Sequence, residues 1–262
     1  MQKFLLAGVA FSTMIGSAFA ADLPARNPVY KPAPVVFNWS GCYVGGQIGG
    51  QWGTWTAGVY HDVGIDPNTA RPQRDLSGKA SFIGGGQIGC NYEFPGSSSV
   101  IGIEGDIAGA SKNTFSGEVF RFALPAQIDH IDAAGKIGIQ GSVRLRAGVT
   151  WDRALLYVAG GATWAELTAN HVIVGAAGGT AAVEHSKTKA GWNVGLGFEY
   201  AFASNWTAGV EYRYTNYGSS FSYTVPAGPF FVTHTASVDK VYTSDFRFRV
   251  NYLFGGPVVA RY

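Results

Sequence analysis

The residues best placed to do chemistry are ionic, and they alternate with apolar ones. Glu104-Gly105-Asp106, Arg144-Leu145-Arg146, Glu211-Tyr212-Arg213 and Asp245-Phe246-Arg247-Phe248-Arg249 each set charges two positions apart, and Glu93 and Glu199 sit in similar patterns. Six acids and five arginines nearly cancel, with Gln47, Gln51, Gln87, Asn91, Gln140 and Asn193 recurring on the same period. Such a set could line an ion path, which needs an open route and a constriction of one sign. Or it could pair internally, guanidinium to carboxylate, as a polar core that satisfies itself. The mixed signs favour the second.

Other chemistry is weaker. Cys42 and Cys90 are the only cysteines, and export through an oxidising compartment favours their pairing, although a simple hairpin register would bring Cys90 nearer Gly45. His61, His130, His171, His185 and His234 could hold haem or a metal ion, but no pair has metal-ligand spacing. Histidines collected in polar connections are the simpler reading, and we assign no metal. Gly84-Gly85-Gly86-Gln87-Ile88-Gly89 matches G-x-G-x-x-G, yet runs on into Cys90-Asn91-Tyr92 with period two. A dinucleotide site needs a strand before the motif and a helix after it, so no cofactor is assigned. His185-Ser186 and His61-Asp62 lack a nucleophile motif such as G-x-S-x-G, and no catalytic residue is assigned.

The elements that must position the charges are strands. In Asp245–Phe254 the even positions are Phe, Phe, Val, Tyr and Phe, while those from 245 to 251 on the odd side are Asp, Arg, Arg and Asn. A period of two is the pleat of a β-strand. It returns from Cys42 to Trp52, from Ser81 to Phe94, from Ile101 to Ile107, from Ile137 to Trp151, from Trp192 to Phe202 and from Trp206 to Thr215. Ile137 and Ile139 are read on the apolar side with Val143, Leu145 and Val149. The segment Leu155–Leu167 is ambiguous, with Glu166 suggesting a polar even side. Three connections are short (95–98, 152–153, 203–205), and four are long and polar (58–77, 111–134, 169–187, 218–237). Short turns at one end and long loops at the other, on an even strand count, is the plan of an outer-membrane barrel. An arginine facing lipid near the midplane costs about 2–4 kcal/mol. Arg144, Arg146, Arg247 and Arg249 together would exceed a whole-protein stability of about 5–15 kcal/mol, so the charges face inward.

Composition agrees. Glycine, at 37 of 262 residues, is about twice its usual share, and only 14% of residues are charged. No segment beyond the first twenty residues approaches the ~18 apolar residues of a helical span. Lys3, the apolar run Phe4–Ile15 and Ala18-Phe19-Ala20 read as a secretory signal over residues 1–20. Without it the chain carries 18 Lys+Arg against 17 Asp+Glu, a balance that argues against a nucleic-acid partner. Residues 21–38 hold four prolines and read as an extended periplasmic linker. The barrel is expected over 39–254, with a tail at 255–262.

Trp39-Ser40-Gly41-Cys42-Tyr43-Val44-Gly45-Gly46, Gly85 through Tyr92, Ile103-Glu104-Gly105-Asp106, Ser142 through Gly148, Gly191-Trp192, Glu199 through Phe202, Asn205-Trp206-Thr207 and Glu211-Tyr212-Arg213-Tyr214 resemble the small outer-membrane barrels of α-proteobacteria. That family includes the major surface antigens of brucellae and the hemin-binding proteins of bartonellae. The resemblance implies an all-β, closed antiparallel up-and-down transmembrane β-barrel of eight strands, OmpA-like, with both termini in the periplasm. It departs at the end, since family barrels close on a terminal aromatic and here Phe254 is followed by eight more residues. The expected role is structural: a surface protein with a plugged interior that maintains the envelope. Its expected partners are outer-membrane lipid, lipopolysaccharide and the barrel-assembly machinery. The alternatives are a haem-binding surface receptor, taking haem or host ligands through the long loops, and a small-solute porin.

Overall fold

A computed structural model describes residues 37–61, 73–78, 80–111, 114–121, 128–175, 180–225 and 234–254. The expected signal, residues 21–36 of the linker and the tail after Phe254 lie outside these. Ten strands follow in chain order: β1 Gly41–His61, β2 Gln73–Ser77, β3 Ser81–Glu93, β4 Ser99–Ser111, β5 Thr114–Arg121, β6 Ile128–Trp151, β7 Ala154–Gly175, β8 Thr180–Ala201, β9 Trp206–Val225 and β10 His234–Phe254. Eight of them close a ring by antiparallel ladders, in the order β1-β3-β4-β6-β7-β8-β9-β10, with β10 returning to β1 from Cys42↔Phe254 to His61↔His234. β2 and β5 are short additions to β1 and β6.

In the half nearer the short turns the pleat sorts side chains by polarity. Ile103, Leu145, Val194 and Phe248 point outward, roughly half exposed, while Glu104, Arg144, Asn193 and Arg249 between them are buried. Outward Tyr92, Trp151, Tyr200, Trp206 and Tyr252 mark one rim of this apolar band, and Trp52, Trp164 and Trp192 mark the other. Roughly eight to ten residues separate the rims, which at ~3.3 Å per residue and a tilt of about 40° comes to roughly 20–25 Å, close to the ~25 Å apolar band of an outer membrane. The turn between β6 and β7 is two residues long and holds Asp152 at φ 55°, the sign that tight hairpin turns require.

Above the second rim the architecture changes. The β8–β9 ladder stops at Trp192↔Asn216, and no ladder joins β2 to β5 among the described residues. The ring therefore splits into two four-stranded sheets, β2-β1-β10-β9 and β5-β6-β7-β8. They pack face to face on Trp55, Leu76, Phe115, Ile137, Leu167, Phe221 and Val238. Trp55 lies 5.8 Å from Phe115, centroid to centroid, joining one sheet to the other. This is a small β-sandwich standing on a barrel.

Three expectations are corrected by that upper half. The long connections are mostly strand: β7 runs to Gly175 and β8 starts at Thr180, so the segment 169–187 is largely a hairpin. Out of lipid the outer face need not be apolar, and the sequence loses its alternation without losing the strand. Ile137 faces inward and is fully buried, because β6 carries one extra residue between Ile137↔Leu167 and Gln140↔Ala165. That bulge exchanges the two faces above it. Glu166 does not mark the inner side of β7, whose interior face is Leu155, Tyr157, Thr163, Ala165 and Leu167. It lies outward above the rim, where water rather than lipid meets it.

Candidate functional site

The interior at mid-height is a single ionic layer, carried inward by the pleat of β4, β6, β8, β9 and β10. Glu104 accepts hydrogen bonds from the Tyr43 hydroxyl (2.6 Å), from Arg144 and from Arg249, and lies 3.4 Å from Arg146. Glu211 accepts from Arg144 through both terminal nitrogens (2.7 and 3.1 Å), from Arg249 (2.6 Å), from the Tyr157 hydroxyl (2.8 Å) and from Arg213 Nε (3.0 Å). Asp106 accepts from Ser142, from Arg213 (3.0 Å) and from Arg247 (3.3 Å), and Arg247 also donates to Asp245. Glu199 takes the far end of Arg146 at 2.6 Å. The chain of contacts runs unbroken from Glu199 to Asp245, and none of its five arginines and five carboxylates is more than 8% exposed.

Two tyrosines complete this layer: Tyr43, which the alternation places on the polar side of β1 with Gln47 and Gln51, and Tyr157, which it does not single out. Tyr157 supports Arg146 on its ring face, 3.9 Å from the guanidinium carbon to the centroid, and Tyr43 bridges Arg146 and Glu104. Both need glycine opposite. A Cβ on Gly197 would fall 2.2 Å from the Tyr157 ring, and one on Gly89 would fall 2.5 Å from the Tyr43 hydroxyl.

Glu93 is not part of this layer. Half-buried at the short-turn mouth, it accepts from the Trp39 backbone N–H (2.9 Å) and Thr150 (3.0 Å), while its own N–H donates to Ser40 Oγ. It thereby anchors the chain entering β1. The end of the segment expected to be a loose linker turns into the barrel: Phe37 and Trp39 are buried with Tyr43, Val100, Leu155, Tyr157 and Leu253. Period-two reasoning could not find them, since they precede the first strand.

Cys42 and Cys90 stand directly opposite on β1 and β3 and are disulfide-bonded. The register pairs Gly45 with Gln87, three residues from the simple hairpin expectation. The G-x-G-x-x-G stretch lies wholly inside β3. Among the histidines, His130 lies 3.5 Å from Asp132, and His171 and His185 meet at Tyr223. The side chains of His61 and His234 lie outside the described set. No group of three His, Cys, Asp or Glu among the described residues could hold a metal ion.

The eight strands close a ring that is apolar outside and ionic within, and residues 13–254 match the family model described as an outer membrane protein beta-barrel domain. The chain belongs to the outer-membrane β-barrel family. Among its relatives, the 31 kDa outer-membrane immunogenic protein of Brucella melitensis is 31% identical over 228 residues, covering 83% of this chain and 88% of that one. The 25 kDa outer-membrane immunogenic protein of the same organism is 26% identical over 257 residues, 97% and 99% of the two chains. The 22 kDa outer membrane protein of Rhizobium leguminosarum is 30% identical, covering 79% of this chain and 75% of that one. The barrel resides in the outer membrane. In that setting the short turns face the periplasm and the β-sandwich faces outward.

Proposed function

We propose that this barrel is a structural surface protein of the outer membrane, closed along its length, that contributes to envelope integrity and carries out no catalysis. The observation that carries this reading is the ionic layer, whose carboxylates each meet an arginine, leaving no single-signed ring for an ion to follow. Aromatic side chains fill the barrel below it and the sandwich core fills the space above it. Deleting the gene tests the role. We expect the mutant to be sensitised to detergents and to large antibiotics normally held out by the outer membrane, with resistance restored by the intact chain. A mutant as resistant as its parent would contradict the proposal.

A further inference from the structure

Above the last rung, Trp192↔Asn216, β8 and β9 face each other without a ladder, so among the described residues the extracellular sandwich has a seam held by side chains. The described contacts across it meet the Tyr223 and Phe221 rings of β9. His171 of β7 bonds through Nδ1 to the Tyr223 hydroxyl, with ring centroids 5.4 Å apart. His185 of β8 stacks on the other part of the same ring at 4.9 Å and 17°. Phe221 continues the stack at 6.2 Å, and Lys189 Nζ sits 5.4 Å from its centroid. We propose that His171, Tyr223 and His185 form an acid-released clasp, which holds the β8–β9 seam shut and lets it open when the cell surface is acidified.

The chemistry turns on His171, which is 2% exposed. Its Nδ1 has Tyr223 as partner, and its Nε2 has none among the described residues. A neutral ring tolerates this by keeping a lone pair at Nε2. A protonated ring must bury an N–H there with nothing to receive it. Among the described residues, the inner faces around it offer no carboxylate. From β6 comes Ala133, from β9 Tyr223, from β10 Ala236 and Val238, and from β8 His185, with Lys187 and Lys189 further down the strand. Asp132 and Glu184 belong to the outer faces of β6 and β8.

Burial pushes the His171 imidazole down to about 4. The sign follows: the open seam restores an ordinary value near 6.5, so the open form binds more protons in between. Closure is therefore complete above about pH 6.5 and is lost as pH falls toward about 4. The closed-to-open ratio should drop by up to roughly tenfold per unit, about 300-fold in all.

Spin labels on Thr188→Cys and Ser222→Cys, outward positions on either side of the seam, report the opening in the otherwise native barrel with Cys42–Cys90 closed. We expect one short inter-label distance at pH 7.5, a growing longer population down to pH 3.5, and full recovery on neutralisation. His171→Phe should keep the short distance at pH 3.5, while His185→Gln should still open. A wild-type distance unchanged to pH 3.5 would overturn the clasp even if no variant folds. So would a His171→Phe variant that opens at the same pH as the wild type.

Discussion

At the scale of single residues, the ionic layer depends on completeness rather than on the number of its ion pairs. A buried pair can be neutral in net stability, but removing one partner leaves an uncompensated charge, at a cost of about 3–5 kcal/mol. Glu104 serves three arginines. We expect Glu104→Gln to lower the unfolding free energy in detergent by about that range, measured by urea titration of the folded barrel, with no change for an outward substitution such as Ile103→Leu. Gly197→Ala should act through Tyr157, whose ring occupies the space a Cβ would take. Overpacking of this kind costs about 1–3 kcal/mol, and the same titration checks it. The inward facing of the charges is legible in the sequence because lipid punishes the opposite assignment so heavily. Tyr43 is legible too, since it falls on the polar side of its strand with Gln47 and Gln51, whereas Tyr157 is not, because its strand has no clear facing and only the glycine across from it decides.

At the scale of elements, the membrane sets how far a strand can be read. Between the aromatic rims every outward position must be apolar, and the period is plain from Gly191 to Ala201. Beyond the rims the outer face meets water, so β7 continues to Gly175 and β8 begins at Thr180 without the apolar alternation of the lower half to announce them. The bulge in β6 hides Ile137 for a related reason, since one added residue reverses the parity that the lower strand establishes. Deleting Gly138 should remove the bulge and leave an unbroken pleat, with Ile137 still inward and Lys136 outward. We expect the sandwich to keep its resistance to protease at the cell surface and the membrane half to stay folded, as judged by its heat-modifiable mobility on a gel. The disulfide belongs to this scale as well. It closes a separation of 48 residues between β1 and β3. Replacing both cysteines by serine should cost about 2–4 kcal/mol, read as a lower urea midpoint.

At the scale of the whole molecule, three layers lie in series along the barrel. Phe37 and Trp39 are buried at the periplasmic mouth, the arginine–carboxylate layer lies at mid-height, and the apolar core of the sandwich lies above it. Layers in series fail independently. Trp39→Ala should cost about 3–5 kcal/mol of stability yet leave the barrel closed, because the ionic layer above it remains. The most direct measurement of closure is single-channel recording of the purified wild-type barrel in a planar lipid bilayer. We expect a flat baseline after verified insertion; steady, stepped currents from the folded wild-type protein would contradict a closed interior.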